Sequence, residues 1–493
     1  MNLDVEFRRG TSLRSQLEHA LRTAIRAGKL QPGALLPPSR VLAEHFGVSR
    51  GVVVDSYAQL VAEGYLSARQ GSGTRVAQLP APWGPPEPRR LEPPGRYRYE
   101  LRPGLADFHV FPRARWQSAL VQALRDLPDA RLTYCAPAGA AELRNAVAEH
   151  LARMRGVVVE PECLVICCGV SHGLSLVWAA LRARGANRVA IEDPGWRWQR
   201  FTVEQAGLEA VPIRVDDEGL VVADLAAAGP DAVVLTPAHQ YPTGAVMSPR
   251  RRQQLVGWAR EHDALIVEDD YDVEYRYDRH PVSALQGLAP DHVVFLGTTA
   301  KTLAPALRIA WIVPPDRLVD ELTAALRITG VTPPTLDQVA LASFIADSGL
   351  ERHLRRMRRR YAEKREILVE ALEQHVPDAV VHGASAGLHL LAVLPDDVDE
   401  HVAAQRARQA GVGLHELHYH CTTVAPRPPA FVLGYALPTP SELRAAARIL
   451  GAVVQAAPAP AVRDWSLKER ADWSEGNIAR LLALEADSTC AES

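Results

Sequence analysis

Apolar residues recur at helical spacing early in the chain, where Leu13, Leu17, Leu21 and Ile25 form one face. Gly28 ends that pattern and Pro32-Gly33 makes a turn. Pro38-Ser39-Arg40 opens a second helical pattern through Phe46, Gly47 breaks it, and Ser49 caps a third that runs to about Glu63. Then Tyr65-Leu66-Ser67-Ala68 and Thr74-Arg75-Val76 bracket Arg69-Gln70-Gly71-Ser72-Gly73, the pattern of a two-stranded wing with a glycine-rich tip. Residues 100–455 read differently: helical periodicity alternates with short apolar runs at Cys163–Cys168, Arg188–Ile191, Ala232–Leu235, Ala264–Val267 and His292–Leu296. That alternation predicts an α/β domain with a mainly parallel sheet. A long helix is predicted from Leu350 to about Val376, with a stripe of Leu354, Met357, Tyr361 and Ile367 or Leu368. The region of about 350–455 reads as a smaller α+β lobe.

Between the two patterned regions, seven prolines fall within residues 80–94, so neither helix nor sheet runs through them. The organisation expected is therefore a head at 1–77, a proline-rich linker at 78–99, a body at 100–455 and a tail at 456–493 to which no role is assigned. No run of about 18 apolar residues could span a bilayer, and the polar, acidic N-terminus shows no signal peptide. A cytoplasmic location is expected. The six cysteines show neither C-x-x-C spacing nor a paired His-Cys pattern for zinc, so reduced, mostly buried thiols and no metal are expected.

The net charge of −3 conceals an asymmetry, because residues 1–76 carry ten Lys/Arg and six Asp/Glu, a balance of +4 that leaves −7 elsewhere. A basic head on an acidic body fits nucleic-acid contact by the head alone. Helix, short turn and helix is the layout in which the second helix enters the major groove of double-stranded DNA. Ser39, Arg40, Ser49 and Arg50 lie at helix N-termini, where backbone amides also favour phosphate. Arg69, Ser72, Gly73 and Thr74 on the wing are the other candidates for phosphate or base contact. A second basic run, eight Lys/Arg within 352–365, reads as the solvated face of the long helix.

The body's candidate chemistry centres on Gly297-Thr298-Thr299-Ala300-Lys301, followed by Arg308. A lysine amine deprotonated by burial or a neighbouring cation forms a Schiff base with an aldehyde, and a forked cation seven residues on suits a phosphate on the same molecule. Pyridoxal 5'-phosphate (PLP) has both groups. Asp269, after the apolar run Ala264–Val267, is placed to pair with a pyridinium nitrogen, and Tyr271 to donate to a phenolate oxygen. Val170 and Ser171, in Gly169-Val170-Ser171-His172-Gly173, open a helix whose amides face a phosphate, aided by the Thr298 hydroxyl. Trp196 follows another strand end and is placed to stack on the ring. The ordinary readings are a solvated lysine and a core tryptophan.

The head motifs LQPGALLPPSRVLAEHFGVSR and EGYLSARQGSGTRVA resemble the GntR family of winged helix-turn-helix regulators. In the body, Thr236-Pro237-Ala238-His239-Gln240-Tyr241-Pro242-Thr243-Gly244, Glu268-Asp269-Asp270-Tyr271-Asp272-Val273-Glu274 and the Lys301–Arg308 stretch resemble the fold-type I aminotransferases. Joined, head and body resemble the MocR subfamily over roughly 12–76 and 100–450. The resemblance implies an aldimine at Lys301, Asp269 on the ring nitrogen, Tyr271 on the phenolate, and Ser171, Thr298 and Arg308 on the phosphate. It also implies that Tyr134 reaches the phosphate of a partner subunit, hence a homodimer.

The sequence departs from the family pattern at several places. Gly51-Val52 stands where members carry a polar pair, Tyr241 where aminotransferases carry asparagine, and Ala300 where they carry serine. The strand Ala430–Tyr435 lacks the arginine that grips a substrate carboxylate; Arg427 is nearest, and His415, His418 and His420 lie in the same lobe. The expected function is a PLP-dependent regulator that binds operator DNA and senses an amine, an amino acid or PLP itself. An active aminotransferase with an autoregulatory head, and a body that only dimerises, remain open alternatives.

Overall fold

The computed structural model describes residues 7, 10–69, 73–78, 97–277, 282–383, 385–423 and 427–458. The expectations for Ser72, for the linker between 79 and 96 and for the tail beyond 458 lie outside the described residues. The chain divides into two compact units, Met1–Pro93 and Pro94–Ser493.

In the first unit the helices Leu13–Arg26, Ser39–Phe46 and Arg50–Ala62 precede the antiparallel strands Leu66–Arg69 and Gly73–Val76. Leu17, Leu21, Leu42, Val53, Tyr57 and Leu60 are buried between the helices, and Leu66 and Val76 carry that core into the wing. Burying each of these leucines contributes about 2 kcal/mol. Gly47 ends the second helix in the left-handed conformation at φ 63°, and Ser49 caps the third by accepting from the Val52 amide at 3.4 Å. The second helix has no side-chain cap, because Pro38 occupies the capping position.

The second unit is built on an eight-stranded sheet in the order Val165–Cys167, Ala310–Val313, Val293–Thr298, Leu265–Asp270, Ala232–Leu235, Arg188–Asp193, Glu209–Asp216, Gly219–Leu220. The four pairings from Val293–Thr298 to Glu209–Asp216 are parallel, and Ala310–Val313 runs antiparallel to both its neighbours. Every residue of Leu265–Asp270 is buried, as a strand covered on both faces requires. The small lobe is a four-stranded antiparallel sheet, Val380–His382, His389–Val393, Ala430–Gly434 and His415–Glu416. The helices Gly349–His375 and Pro440–Gln455 share one apolar cluster with it, and Leu354, Met357, Tyr361 and Leu368 form the buried stripe. The five described cysteines are unpaired; only Cys167 is fully buried, against the expectation of mostly buried thiols. Among the described residues no helix is long and apolar enough to cross a membrane.

Candidate functional site

Parallel strands end on one edge of a sheet, and the loops leaving that edge bring distant residues together. Lys301 follows the strand Val293–Thr298 and donates from Nζ to the carbonyl of Gly104 at 2.6 Å. The Tyr275 hydroxyl donates to the Lys301 carbonyl at 3.2 Å, holding the turn.

Next to this strand, Leu265–Asp270 turns its side chains alternately to the two faces. Asp270 is buried against Arg155 at 2.9 Å, and Glu268 accepts from the amides of Leu285 and Gln286. Asp269 faces the other way. Its Oδ2 accepts from Gln199 Nε2 at 3.1 Å, while its Oδ1 is buried without a partner among the described residues. Burial pushes this carboxyl up to about 7, the Gln199 bond opposes that rise, and the Lys301 charge is close enough to lower it further.

Arg308 and the helix Val170–Ala183 form a second corner. Arg308 adopts φ 51° and donates to the Cys168 carbonyl at 2.6 Å. Its guanidinium covers Gly169, where a Cβ would come within 3.1 Å of it. Val170 and Ser171 form the first turn of the helix, and the Thr298 hydroxyl accepts from the Ala300 amide at 3.1 Å, leaving its own proton to donate. Backbone amides and a guanidinium thus meet at one helix N-terminus.

Two expected residues have partners within the protein. The Tyr271 hydroxyl donates to the His239 carbonyl at 3.0 Å and lies 3.2 Å from His239 Nδ1, so its proton is already engaged. Trp196 begins the helix Arg197–Gln205 half-buried, packed against the apolar cluster of the large sheet. Tyr134 is 99% exposed. Arg427 is committed: it donates to the Asp193 carbonyl at 2.9 Å and lies 3.3 Å from the Asp193 carboxylate, which also accepts from the Thr422 and Thr423 amides.

Several residues at the site were not singled out by the sequence. Gly104 and Gln199 lie 197 and 70 positions from the residues they hold, and neither sits in a patterned motif. His239 Nδ1 lies 3.1 Å from the Asp272 carboxylate, and His389 is beside it, its ring centre 5.0 Å from that of His239. These three have the donor set of a metal site, yet hydrogen bonds account for His239 and Asp272; His389 Nε2 is left unpartnered among the described residues. His415 and His420 do not belong to an exposed loop. The second is buried, and the first is half-buried on the strand His415–Glu416. His418 is taken by Glu400.

In the first unit, Arg40 and Arg50 project from the first turns of their helices, Arg40 with an exposed, loose 3.6 Å pairing to Glu44. Ser39 is half-buried. Arg69 and Gly73 face each other across the wing, and Thr74 pairs with Ala68. Gly73 has φ +80°, which favours glycine, and a Cβ there would meet the Leu35 side chain at 2.9 Å.

Comparison with known proteins agrees with this architecture. Residues 13–76 match the bacterial regulatory proteins of the gntR family, and residues 111–450 match aminotransferase class I and II. The probable rhizopine catabolism regulatory protein MocR of Rhizobium meliloti is 35% identical over 87% of this chain and 91% of its own length. The chain belongs to the MocR subfamily of GntR-type transcriptional regulators. Another such regulator, the pyridoxine biosynthesis transcriptional regulator PdxR of Corynebacterium glutamicum, is 35% identical over 79% of this chain and 85% of its own. Among solved structures, an archaeal alanine:glyoxylate aminotransferase superposes with TM-score 0.66 at 25% identity, covering 73% of this chain and 91% of that one. This MocR-type chain is thus a transcriptional regulator with an aminotransferase-like domain, and GntR-type heads bind operator DNA.

Proposed function

We propose that this regulator holds PLP at Lys301 and senses a primary amine, an amino acid or PLP itself there, changing how the heads of a dimer engage operator DNA. One observation carries the reading: the buried, unpartnered Oδ1 of Asp269 beside the lysine. A carboxyl that ionises with difficulty needs a cation against it, and a pyridinium supplies one. Bound there, PLP supplies an aldehyde carbon that condenses with a primary amine, that of Lys301 or that of a ligand.

The protein's own groups do the rest. Gln199 holds Asp269 with Oδ1 outward. Gly104 fixes the lysine's direction and leaves room for it, since a Cβ there would approach Nζ to 3.4 Å. Arg308, Thr298 and the amides of Val170 and Ser171 are the phosphate's partners, with Tyr134 available to a second subunit. The strand Ala430–Gly434 carries no arginine, and Arg427, the nearest, is bound to Asp193, which favours sensing over the turnover of α-amino acids.

The test is spectroscopic. Full-length protein with PLP develops the visible absorbance of a lysine-bound cofactor, Lys301→Ala does not, and both footprint the same operator. A wild type that stays colourless with added PLP overturns the cofactor reading. Rapid amino-group transfer without specific DNA binding overturns the regulatory one.

A further inference from the structure

From the lysine outward, aromatic rings follow one another without a gap. His389 lies where the Lys301 charge is felt. The Tyr241 ring is 5.1 Å from it, His420 is 5.0 Å beyond Tyr241, and His415 is 5.3 Å beyond His420. Tyr241 itself lies edge-on to Tyr271 at 6.2 Å. Its loop is pinned, because Glu192 accepts from the Thr236 amide and hydroxyl, Thr236 accepts from the Tyr241 amide, and Gln240 donates to the Pro194 carbonyl.

Along this row the ring nitrogens are unanswered. His389 Nε2, both nitrogens of His420 and His415 Nδ1 are buried without a hydrogen-bond partner among the described residues. Buried polar atoms are almost always paired, so four orphans on one row of rings that begins near Lys301 mark a place where a ligand supplies the partners. We propose that His389, Tyr241 and His420 read the arm of the amine ligand, and that this arm is uncharged and carries hydroxyl groups. The assignment rests on the reading of Lys301 as the amine-binding residue and adds the chemistry of what the amine carries.

The chemistry follows from charge state and geometry. Burial, more than any neighbour, pushes His389 and His420 well below the ordinary histidine range, so both are neutral near pH 7. A neutral imidazole offers one donor and one acceptor, and a hydroxyl offers the same pair in return. A carboxylate offers acceptors only, the guanidiniums of Arg427 and Arg102 already hold Asp193 and Glu100, and that of Arg197 lies over the Tyr419 ring at 4.6 Å. An alkyl arm would leave all four nitrogens unpaired.

The probes are 2-amino-1,3-propanediol, isopropylamine and alanine, which share a three-carbon skeleton with a central amine. Each is titrated against the visible band of full-length protein loaded with PLP, and each affinity is divided by that for free PLP in the same buffer. The diol is expected to bind about tenfold or more tighter than either other amine. His420→Phe and His389→Phe keep the ring and remove the nitrogens, and each should reduce that preference severalfold. Equal affinity for diol and isopropylamine, or a preference for alanine, in the wild type overturns the proposal even if both variants fail to fold. A loaded protein whose band responds to none of the three overturns the assignment of the arm together with amine sensing, whereas a protein that never takes up PLP fails at the earlier step.

Discussion

The Nζ of Lys301 lies 2.6 Å from the carbonyl oxygen of Gly104, joining the turn after a central strand to the first residues of the body. Gly104 has φ +86°, a conformation that costs a residue with a Cβ about 1 kcal/mol or more. Gly104→Ala should therefore lower stability by about that amount and, by shifting the carbonyl that Nζ donates to, slow the return of the visible band after the cofactor is removed and added back. Urea unfolding and stopped-flow absorbance measure the two effects, and an unchanged rate of return would show that this carbonyl does not aim the lysine.

Arg308 lies at the N-terminus of the helix Val170–Ala183, where a phosphate would meet it, and a charge-assisted bond of this kind contributes about 1.5–3 kcal/mol. Arg308→Ala is expected to weaken PLP binding about 10- to 100-fold. Pyridoxal, which lacks the phosphate, should lose little. Equilibrium dialysis of both vitamers against both proteins separates a phosphate contact from general damage.

The Asp269 carboxyl ordinarily titrates near 3.8, and burial raises it to about 7. The folded chain therefore binds this proton more tightly than the unfolded one. Its contribution to stability is complete below pH about 4 and is lost as pH rises to about 7. In cofactor-free protein the urea midpoint should decline across that window, and Asp269→Asn should make the decline shallower without abolishing it, because burial also raises Glu192 to about 8 and Glu268 to about 7. The same variant should lose most affinity for PLP. A wild-type midpoint independent of pH across the window would contradict the assignment.

Arg155 and Asp270 form an ion pair at 2.9 Å with both side chains almost wholly buried. Removing one partner strands the other, at a cost of about 3–5 kcal/mol. Arg155→Ala should lower the unfolding midpoint of the body accordingly, as calorimetry would show, and leave the head's transition in place.

On the head, the exposed Arg40–Glu44 pairing contributes almost nothing to stability, so Arg40 is available to phosphate. Arg40→Ala and Arg50→Ala should each reduce the slope of log affinity against log salt by about 1. Filter binding across a salt series, on whatever operator footprinting identifies, gives the slopes. A slope equal to that of wild type would remove that arginine from the interface.

What the sequence made legible was what local pattern encodes. The strands Ala232–Leu235 and Ala430–Gly434 and the helix Gly349–His375 were readable because a buried strand is a continuous apolar run and a packed helix an apolar stripe. Lys301, Asp269 and Arg308 could be named as candidates because their motifs are local. Gly104 and Gln199 were not, since contacts across 197 and 70 positions leave no periodic trace. The bond from the Tyr271 hydroxyl to the carbonyl of His239 is a contact that only the folded loop reveals. His415, His418 and His420 looked alike in sequence, yet a strand, an acidic neighbour and a buried turn give them three different surroundings.

Asp193 ends a strand of the large sheet, and Thr422, Thr423 and Arg427 of the small lobe all close upon it. The small lobe is therefore moored to the large sheet through one carboxylate-bearing strand end, and Asp193 is the bolt between them.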